Sequence, residues 1–234
     1  MLNNKSFLVL IPARGGSKGI KLKKLINFNG KPLVLHTIEF AKKIKFVDKI
    51  ILSSDHKKMI DLGKRNNIET IKRSKILSGA QISDSQLIKN ILDFLKKKGE
   101  NYNYLIYLQP TSPFRKTSDI NKACKKIVNK NHDTIWSVNQ VSKKYHPLKL
   151  FKVKNNKLFL FNKRGKDIIA RQQLGEIYQR NGIFYIFNVK KIINNKSIYS
   201  KEGIFPYLIN YKFVNIDTVD DLQKAKKLFK RWVN

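Results

Sequence analysis

Glycines and cations are concentrated in the stretch that follows the first apolar run of the chain. Residues 7–12 (FLVLIP) are apolar, and residues 13–24 (ARGGSKGIKLKK) carry three glycines, a serine and cations that include Arg14, Lys18 and Lys23. A buried strand that leads into a flexible basic loop can offer backbone N–H groups and positive charge to phosphates. The spacing matches neither the P-loop nor the Gly-x-Gly-x-x-Gly pattern. By itself the stretch therefore indicates either a polyanion site or an ordinary glycine-rich turn.

Polar segments also follow other predicted strands, at residues 53–55, 109–115 and 215–221. In open α/β sheets, ligands bind beyond the carboxyl ends of the strands, so these segments and the basic loop are predicted to converge. Together they would supply four cations (Arg14, Lys18, Lys23 and Arg115) and four carboxylates (Asp55, Asp217, Asp220 and Asp221). Cations beside a carboxylate that can hold a divalent ion are what a nucleoside triphosphate site needs.

Several of these residues also have a structural interpretation. The segment TVDD that ends at Asp221 matches a capping box, and Asp55 could equally cap the helix that follows it. Asp217 precedes the cap, where no helix needs it, and this position favours a functional role. Prolines on both sides of the Thr-Ser pair at Ser112 indicate a polar pair that is held in place. Arg171 is either functional or an exposed loop cation.

Hydrophobic patterning predicts alternating strands and helices from the N-terminus to about residue 138. The predicted strands are 7–12, 47–52, 68–71, 104–108 and 133–138, and helices are predicted to begin near residues 32, 55, 85 and 118. A strand at 181–187, a final strand at 212–216 and a helix at 218–232 are predicted to follow. This alternation is typical of an α/β protein with a mostly parallel sheet and helices on both faces.

Residues 140–180 interrupt the alternation. Residues 148–153 and 157–161 alternate apolar and polar side chains on either side of Asn155 and Asn156, which predicts a β-hairpin. A long excursion of this kind often serves as a substrate lid or a dimer arm. We therefore expect one domain over residues 1–234, into which the 140–180 arm is inserted.

The net charge of +33 raises the question of a nucleic-acid partner. Most of the 49 basic residues are lysines scattered along the chain, whereas nucleic-acid surfaces favour arginine for bidentate contacts. The chain also lacks an aromatic strand of the RNA-binding type. We therefore expect no nucleic-acid partner, and an RNA-binding protein stays as a weaker alternative.

A single cysteine, Cys124, excludes an internal disulfide and suits a reducing cytoplasm. The four histidines have no spacing that suggests a zinc site. The first apolar run is too short for a signal peptide or a membrane span. We expect a cytoplasmic protein with no membrane partner.

Motifs along most of the chain resemble those of one enzyme family. In chain order they are IPARGGSKGI (11–20), LQPTSPFR (108–115), HPL (146–148), RQQL (171–174), the segment from Tyr178 to Gly182, and IDT (216–218) with Asp221-Leu222. The set resembles the acylneuraminate cytidylyltransferases, also called CMP-sialic acid synthetases. The resemblance extends from residue 7 to residue 222.

This resemblance implies a Rossmann-like, three-layer nucleotidyltransferase fold with a β-hairpin dimerisation arm. It implies transfer of CMP from CTP to the anomeric hydroxyl of a nine-carbon 2-keto sugar acid, with release of pyrophosphate. Mg²⁺ would be the cofactor, and Mn²⁺ could replace it. The protein would be a homodimer in which the 140–180 arm reaches into the partner's site.

The matched positions imply roles for individual residues. Arg14, Lys23 and Asp217 would be catalytic. CTP would be bound by Ala13, Arg14, Ser17, Lys18, Lys23, Arg73 and Ser83. The sugar would be bound by Gln109, Ser112, Arg171 and Asn181, and the metal by Asp217 and Asn215.

The chain departs from the family pattern at two positions. Asn215 stands where the family usually has the first aspartate of Asp-x-Asp, and an amide oxygen can ligate Mg²⁺ but carries no formal charge. Lys24 stands where the family usually has asparagine, and lysine cannot accept a hydrogen bond. Two alternatives therefore stay open besides the nine-carbon activity. One is activation of the eight-carbon sugar Kdo, and the other is a relative that binds CTP or sugar without turnover.

Overall fold

The computed structural model describes residues 2–16, 19–74, 76–79, 81–195, 197–200 and 203–232. Its strands are β1 (Phe7–Pro12), β2 (Asn27–Phe28), β3 (Lys31–Pro32), β4 (Lys49–Ser54), β5 (Glu69–Lys72), β6 (Tyr104–Tyr107), β7 (Thr134–Gln140), β8 (Phe151–Lys154), β9 (Lys157–Leu160), β10 (Tyr178–Asn188) and β11 (Phe205–Leu208). Its α-helices are α1 (Leu33–Lys42), α2 (Lys57–Arg65), α3 (Asp84–Lys97), α4 (Thr117–Asn129), α5 (Val189–Asn195) and α6 (Val219–Trp232).

The main sheet has seven strands in the order β11-β7-β10-β6-β1-β4-β5 within the described residues. Strand β1 pairs in parallel with β4 on one side and with β6 on the other, and β4 pairs in parallel with β5. Strand β10 runs antiparallel to β6. The predicted α/β architecture with a mostly parallel sheet is therefore confirmed.

Strand β1 is central because its side chains are apolar on both faces of the sheet. The side chains from Phe7 to Ile11 are all fully buried, although successive side chains of a strand point to opposite faces. Both faces must therefore be covered, as they are in parallel sheets flanked by helices. Strand β1 thus brings the basic loop that follows it to the middle of the sheet edge.

The chain divides into two compact units. One, which we call the insert unit, comprises residues 138–180 and 208–210, and the main unit comprises the rest. The insert unit contains the hairpin β8–β9, whose turn residues Asn155 and Asn156 have φ values of 49° and 56°. The predicted hairpin is confirmed. The single domain over 1–234 with an arm at 140–180 stays a prediction.

The prediction of a strand at 212–216 is wrong. This segment pairs with no strand among the described residues, and Phe213 and Val214 pack instead against the apolar cluster beneath α6, beside Ile216. The apolar pattern therefore reflects packing against a helix and not membership of a sheet. The terminal strand in the sheet order is β11, which was not predicted, and its Pro206 is tolerated because β11 lies at the edge of the sheet.

No helix in the described part of the chain is both long enough and apolar enough to span a membrane.

Candidate active site

Hydrogen bonds join the basic loop after β1 to the segment after β4. The backbone N–H of Ala13 donates to the carbonyl of Ser53 at 2.8 Å, and the backbone N–H of Gly15 donates to Oδ1 of Asp55 at 2.7 Å. Helix α2 has no side-chain cap, so the capping role considered for Asp55 is wrong. Asp55 instead anchors the glycine loop.

The other end of the same loop lies against Asp217. A Cβ atom on Gly19 would overlap the carbonyl oxygen of Asp217, so only glycine fits at this close approach. Nζ of Lys23 forms an ion pair with Oδ1 of Asp217 at 2.6 Å. The Lys23 side chain is 9% exposed and that of Asp217 is 68% exposed. The structure thus brings together Lys23 and Asp217, for which a catalytic role stays a prediction.

Lys24 adds a buried cation that the sequence did not place in the site. Its residue is 8% exposed, and its pKa is lowered to about 8. Burial is the main cause, and the positive charges of Lys23, Arg14 and Arg73 lower it further, against the raising effect of Asp55. Four cations therefore interact electrostatically around one loop, which is a favourable environment for a polyanion. The sequence signal for Lys24 was its departure from the family motif.

Arg73 is buried beside the loop with one end of its guanidinium unsatisfied. Its Nε donates to Oγ of Ser53 at 3.0 Å and its backbone N–H donates to the carbonyl of Ser54, whereas its buried Nη2 has no hydrogen-bond partner. Burial lowers the pKa of Arg73 from its ordinary value. A buried donor without an acceptor is costly, and such a group commonly marks a ligand position.

The remaining predicted CTP residues lie around this cluster or outside the described residues. Nη1 of Arg14 donates to the carbonyl of Gly79 at 3.0 Å. Ser83 caps helix α3, because its hydroxyl accepts from the backbone N–H of Gln86 in a capping box. Its role in CTP binding stays a prediction. Ser17 and Lys18 lie outside the described residues.

Gln109 follows the carboxyl end of β6, and its side chain lies close to Gly182 in β10. Gly182 has a φ of +70°, and a Cβ atom there would lie 2.5 Å from Oε1 of Gln109 and 3.1 Å from Oγ of Ser112. The backbone conformation favours glycine, and a Cβ atom at this position would displace the end of the Gln109 side chain. Gly182 was a motif residue without an assigned role, and its role becomes evident only from this contact.

Arg115 does not face a ligand, although the sequence grouped it with the ligand cations. It is 6% exposed, and its guanidinium donates to the carbonyls of Ile183 and Gln109 and to the hydroxyl of Thr37. Burial lowers the pKa of Arg115 to about 9. Through these hydrogen bonds, Arg115 therefore connects the segment that carries Gln109 with the segment that carries Gly182.

A chain of side-chain hydrogen bonds links the predicted sugar and metal residues. Oγ of Ser112 donates to Oδ1 of Asn215 at 2.6 Å, and Nδ2 of Asn215 donates to the carbonyl of Asn181 at 2.8 Å. Oδ1 of Asn181 accepts from Oγ of Ser137 at 2.6 Å. Asn181 is 2% exposed, and its Nδ2 has no hydrogen-bond partner.

Asp221 and Asp217 differ as the sequence predicted. Oδ2 of Asp221 accepts from the backbone N–H of Thr218 at 2.9 Å, and the Thr218 hydroxyl accepts from the backbone N–H of Asp221 at 3.2 Å. This reciprocal pair is the predicted capping box at the start of α6. The carboxylate of Asp217 takes no part in it. Among the described residues, no cluster of three or more His, Cys, Asp or Glu side chains could hold a metal ion.

Arg171 lies in the insert unit, in a short 3-10 helix over Arg171–Gln173. Its carbonyl accepts from Nζ of Lys143 at 3.4 Å, and its side chain is exposed. It lines a cavity of about 250 Å³ within this unit, together with mainly apolar residues such as Phe151 and Leu174. The insert unit thus presents a cation beside an apolar recess.

Relatives of known name cover almost the whole chain. The chain is 28% identical to a pseudaminic acid cytidylyltransferase of Campylobacter jejuni over 227 residues, 95% of this chain and 96% of that protein. It is 33% identical to a CMP-N,N'-diacetyllegionaminic acid synthase of Legionella pneumophila over 231 residues, 94% of this chain and 95% of that protein. It is 31% identical to an N-acylneuraminate cytidylyltransferase of Streptococcus agalactiae over 218 residues, 92% of this chain but 51% of that protein.

Solved structures share the fold. A CMP:2-keto-3-deoxy-manno-octonic acid synthetase complexed with CTP superposes with a TM-score of 0.72 at 15% identity, covering 97% of this chain and 99% of that one. A 4-diphosphocytidyl-2C-methyl-D-erythritol synthase from Anaerococcus prevotii superposes with a TM-score of 0.67 at 15% identity and the same coverage. The Rossmann-like nucleotidyltransferase fold is thus confirmed. Residues 8–232 also match the family described as cytidylyltransferase. With its fold and nearly its whole length accounted for in this way, the chain belongs to the cytidylyltransferase family.

Proposed function

We propose that this protein transfers CMP from CTP to the anomeric hydroxyl of a nine-carbon 2-keto sugar acid and releases pyrophosphate. The observation that carries the proposal is the cation cluster of Arg14, Lys23, Lys24 and Arg73 at the carboxyl edge of the sheet. The relatives named for pseudaminic, legionaminic and N-acylneuraminic acids support this class of acceptor.

The cation cluster matches the charge of a nucleoside triphosphate. Lys24 and Arg73 are buried among other cations, so their interaction with a polyanion would be weakly screened by solvent. Arg14 and Lys23 would bind the phosphates, and the unsatisfied Nη2 of Arg73 would donate to the nucleotide. Ala13, Ser17, Lys18 and Ser83 complete the proposed CTP contacts.

The reaction itself needs positioning and charge neutralisation more than covalent chemistry. The anomeric oxygen of the sugar forms a bond to the α-phosphorus of CTP while the bond from that phosphorus to the pyrophosphate oxygen breaks. The hydroxyl proton passes to water. Arg14 and Lys23 would stabilise the negative charge that develops on the leaving pyrophosphate.

The donor set fits Mg²⁺ at Asp217. Mg²⁺ is commonly held by one or two carboxylates together with substrate phosphates and water, and the Asp217 carboxylate is 68% exposed beside the phosphate loop. When bound with CTP, Mg²⁺ or Mn²⁺ would supply positive charge to the phosphate oxygens. Lys23 now pairs with one Asp217 oxygen, and it would turn to the phosphates when CTP binds.

The sugar would lie against the neutral loop that carries Gln109 and Ser112. Side-chain amides and hydroxyls recognise sugar hydroxyls through hydrogen bonds, and Asn181 has an unsatisfied buried Nδ2 in the same hydrogen-bonded group. Arg171 would pair with the sugar carboxylate, since a guanidinium binds a carboxylate in a bidentate manner.

The homodimer that we propose would form through the hairpin of the insert unit. Its side chains Phe151, Val153, Leu158, Phe159 and Phe161 are all exposed, by 46% to 70%. Several exposed large apolar side chains on one hairpin commonly mark a protein interface. We place the protein in the cytoplasm, which agrees with its single, buried Cys124.

The test is pyrophosphate release by the purified protein with CTP, Mg²⁺ and a panel of 2-keto sugar acids. We expect release with a nine-carbon acid, with little release when the sugar or the metal is omitted, and a CMP-sugar product identified by ³¹P NMR. Faster turnover of the eight-carbon sugar Kdo would replace the proposal with a Kdo-activating function. CTP binding without turnover on any acid would indicate a relative that has lost activity.

A further inference from the structure

Asn215 makes two hydrogen bonds that together require an amide. The carbonyl oxygen of Asn181 can only accept a hydrogen bond, so the Asn215 atom 2.8 Å from it must be Nδ2. This fixes the orientation of the amide and leaves Oδ1 facing the Ser112 hydroxyl at 2.6 Å. A carboxylate has no donor at neutral pH, and a single hydroxyl oxygen could not occupy the positions of both Oδ1 and Nδ2.

The two bonds connect segments with different proposed tasks. Ser112 lies three residues after Gln109, and Asn215 lies two residues before Asp217. The backbone N–H of Ile216 also donates to the carbonyl of Thr111 at 2.8 Å, so the two segments are joined along a short seam. Asn181, which lies in β10, joins that strand to the same hydrogen-bonded set of residues.

We infer that Asn215 is a positioning residue, whose amide ties the Gln109 segment to the Asp217 segment, and that it is not a metal ligand. The donor set agrees with this inference, because Oδ1 of Asn215 accepts from the Ser112 hydroxyl at a short distance, while Asp217 presents an exposed carboxylate at the loop. The inference rests on the proposed function only for what the two segments bind.

An Asn215→Asp variant separates the two roles. A carboxylate at this position places two acceptors against each other at the Asn181 carbonyl, which lowers stability at neutral pH. Protonation restores a donor, so the variant should recover as the pH falls through the raised pKa of the new carboxyl group. If Asn215 were a metal ligand, the added charge would in addition strengthen metal binding.

We expect the melting temperature of Asn215→Asp to lie about 5 °C below that of the wild type at pH 8, and this gap to shrink by at least about half at pH 5. The matched variant Asn215→Ala loses both bonds at either pH, so its gap should stay constant. A wild-type melting temperature of Asn215→Asp at pH 8 would overturn the inference. These measurements need no substrate and stay informative if the proposed function is wrong.

Binding and kinetics supply a readout that a purely structural role would not move. In the presence of CTP, we expect Mn²⁺ to bind Asn215→Asp within about twofold of the wild type, and a tenfold or larger gain would overturn the inference. Asn215→Ala and Ser112→Ala should each raise KM for the sugar acid by about tenfold, with KM for CTP changed by less than about twofold. An equal loss for both substrates would show that Asn215 does not act through the Gln109 segment.

Discussion

The proposed phosphate side and the proposed sugar side of the site differ in their electrostatics. Around the basic loop, Lys24 and Arg73 are buried among other cations, the pKa of Lys24 is lowered to about 8, and the Nη2 of Arg73 is unsatisfied. Around Gln109, hydrogen bonds link mainly neutral groups, as at Asn215, although the buried Arg115 donates to the Gln109 carbonyl and Nδ2 of Asn181 has no hydrogen-bond partner. We expect a bound anion to stabilise the first region, whereas most hydrogen bonds of the second are already made within the protein.

The difference has a physical reason. Buried like charges repel one another, which lowers the stability of the ligand-free protein. A bound polyanion offsets this repulsion, and the free energy regained increases the affinity. Amides and hydroxyls can be mutual donors and acceptors, so they give a rigid arrangement that distinguishes similar sugars by small differences in position. Substitutions on the two sides should therefore affect ligand binding in different ways.

The largest effect should come from Asp217, which lies between the two sides. We expect Asp217→Ala to lower kcat/KM by about 10³-fold or more, because the proposed metal loses its one anionic protein ligand. The protein should stay folded with a melting temperature a few degrees lower, because the Asp217 side chain is 68% exposed but its loss removes the ion-pair partner of Lys23, which is 9% exposed.

Asp220→Ala is the matched control for this prediction. Its carboxylate is also 68% exposed, and it pairs with Lys224 on α6. We expect it to keep wild-type turnover in the same assay. Unchanged turnover of Asp217→Ala would remove Asp217 from the proposed metal site.

Arg73 tests whether the phosphate side awaits an anion. Arg73→Met should weaken CTP binding by about 100-fold in calorimetry, because it removes a buried guanidinium from the nucleotide. The ligand-free protein should lose little stability, since the buried guanidinium that is removed has only part of its donors satisfied. Arg65→Met, an exposed arginine on α2, should leave CTP binding unchanged. Equal CTP affinity of both variants would contradict the comparison.

Gly182 tests whether the sugar side depends on exact fit. Gly182→Ala should raise KM for the sugar acid by about 30-fold, because the new Cβ displaces the Gln109 side chain. CTP affinity should stay within about twofold of the wild type. Gly99→Ala is the control, since Gly99 also has a positive φ, of +76°, but open space around its Cβ position. If both variants behave alike, backbone strain and not the Gln109 contact matters.

Lys24 should make CTP affinity depend on pH. With a pKa of about 8 in the free protein, Lys24 loses its proton as the pH rises from 7 to 9, and a bound polyanion favours the protonated form. We expect CTP affinity to fall by about tenfold over this range, with proton uptake on binding near pH 8.5. Lys24→Gln should remove this slope, and exposed Lys21→Gln should retain it. A slope that persists in Lys24→Gln would contradict the assignment.

The stability of the free protein should respond to Lys24 in the opposite direction. The pKa of Lys24 is lower in the folded than in the unfolded chain, so between pH 8 and 10.5 the unfolded chain binds more protons. Stability contributed at Lys24 therefore rises with pH across this window. The difference in melting temperature between the wild type and Lys24→Gln, measured at pH 7.5 and 10, isolates this small contribution.

Much of this protein could be predicted from local pattern. Strand β1, the amphipathic helix α3 and the hairpin turn at Asn155 follow from periodicity and turn residues within a few positions of one another. The capping box at Asp221 was likewise readable from four consecutive residues. The strand prediction for 212–216 is wrong because an apolar pattern does not distinguish a strand that joins a sheet from a segment that packs against a helix.

The family and the α/β fold follow from the sequence alone. The sequence also predicts that the loops carrying Arg14, Gln109 and Asp217 lie together, because polar residues that follow buried strands meet at one edge of a parallel sheet. The contacts of individual residues within those loops depend on the folded structure. Ser112 and Asn215 are 103 positions apart, and the pKa of Lys24 is lowered in part by the charge of Arg73 from another strand end. Hydrogen bonds and pKa values depend on distances between side chains, and those distances exist only once the chain has folded.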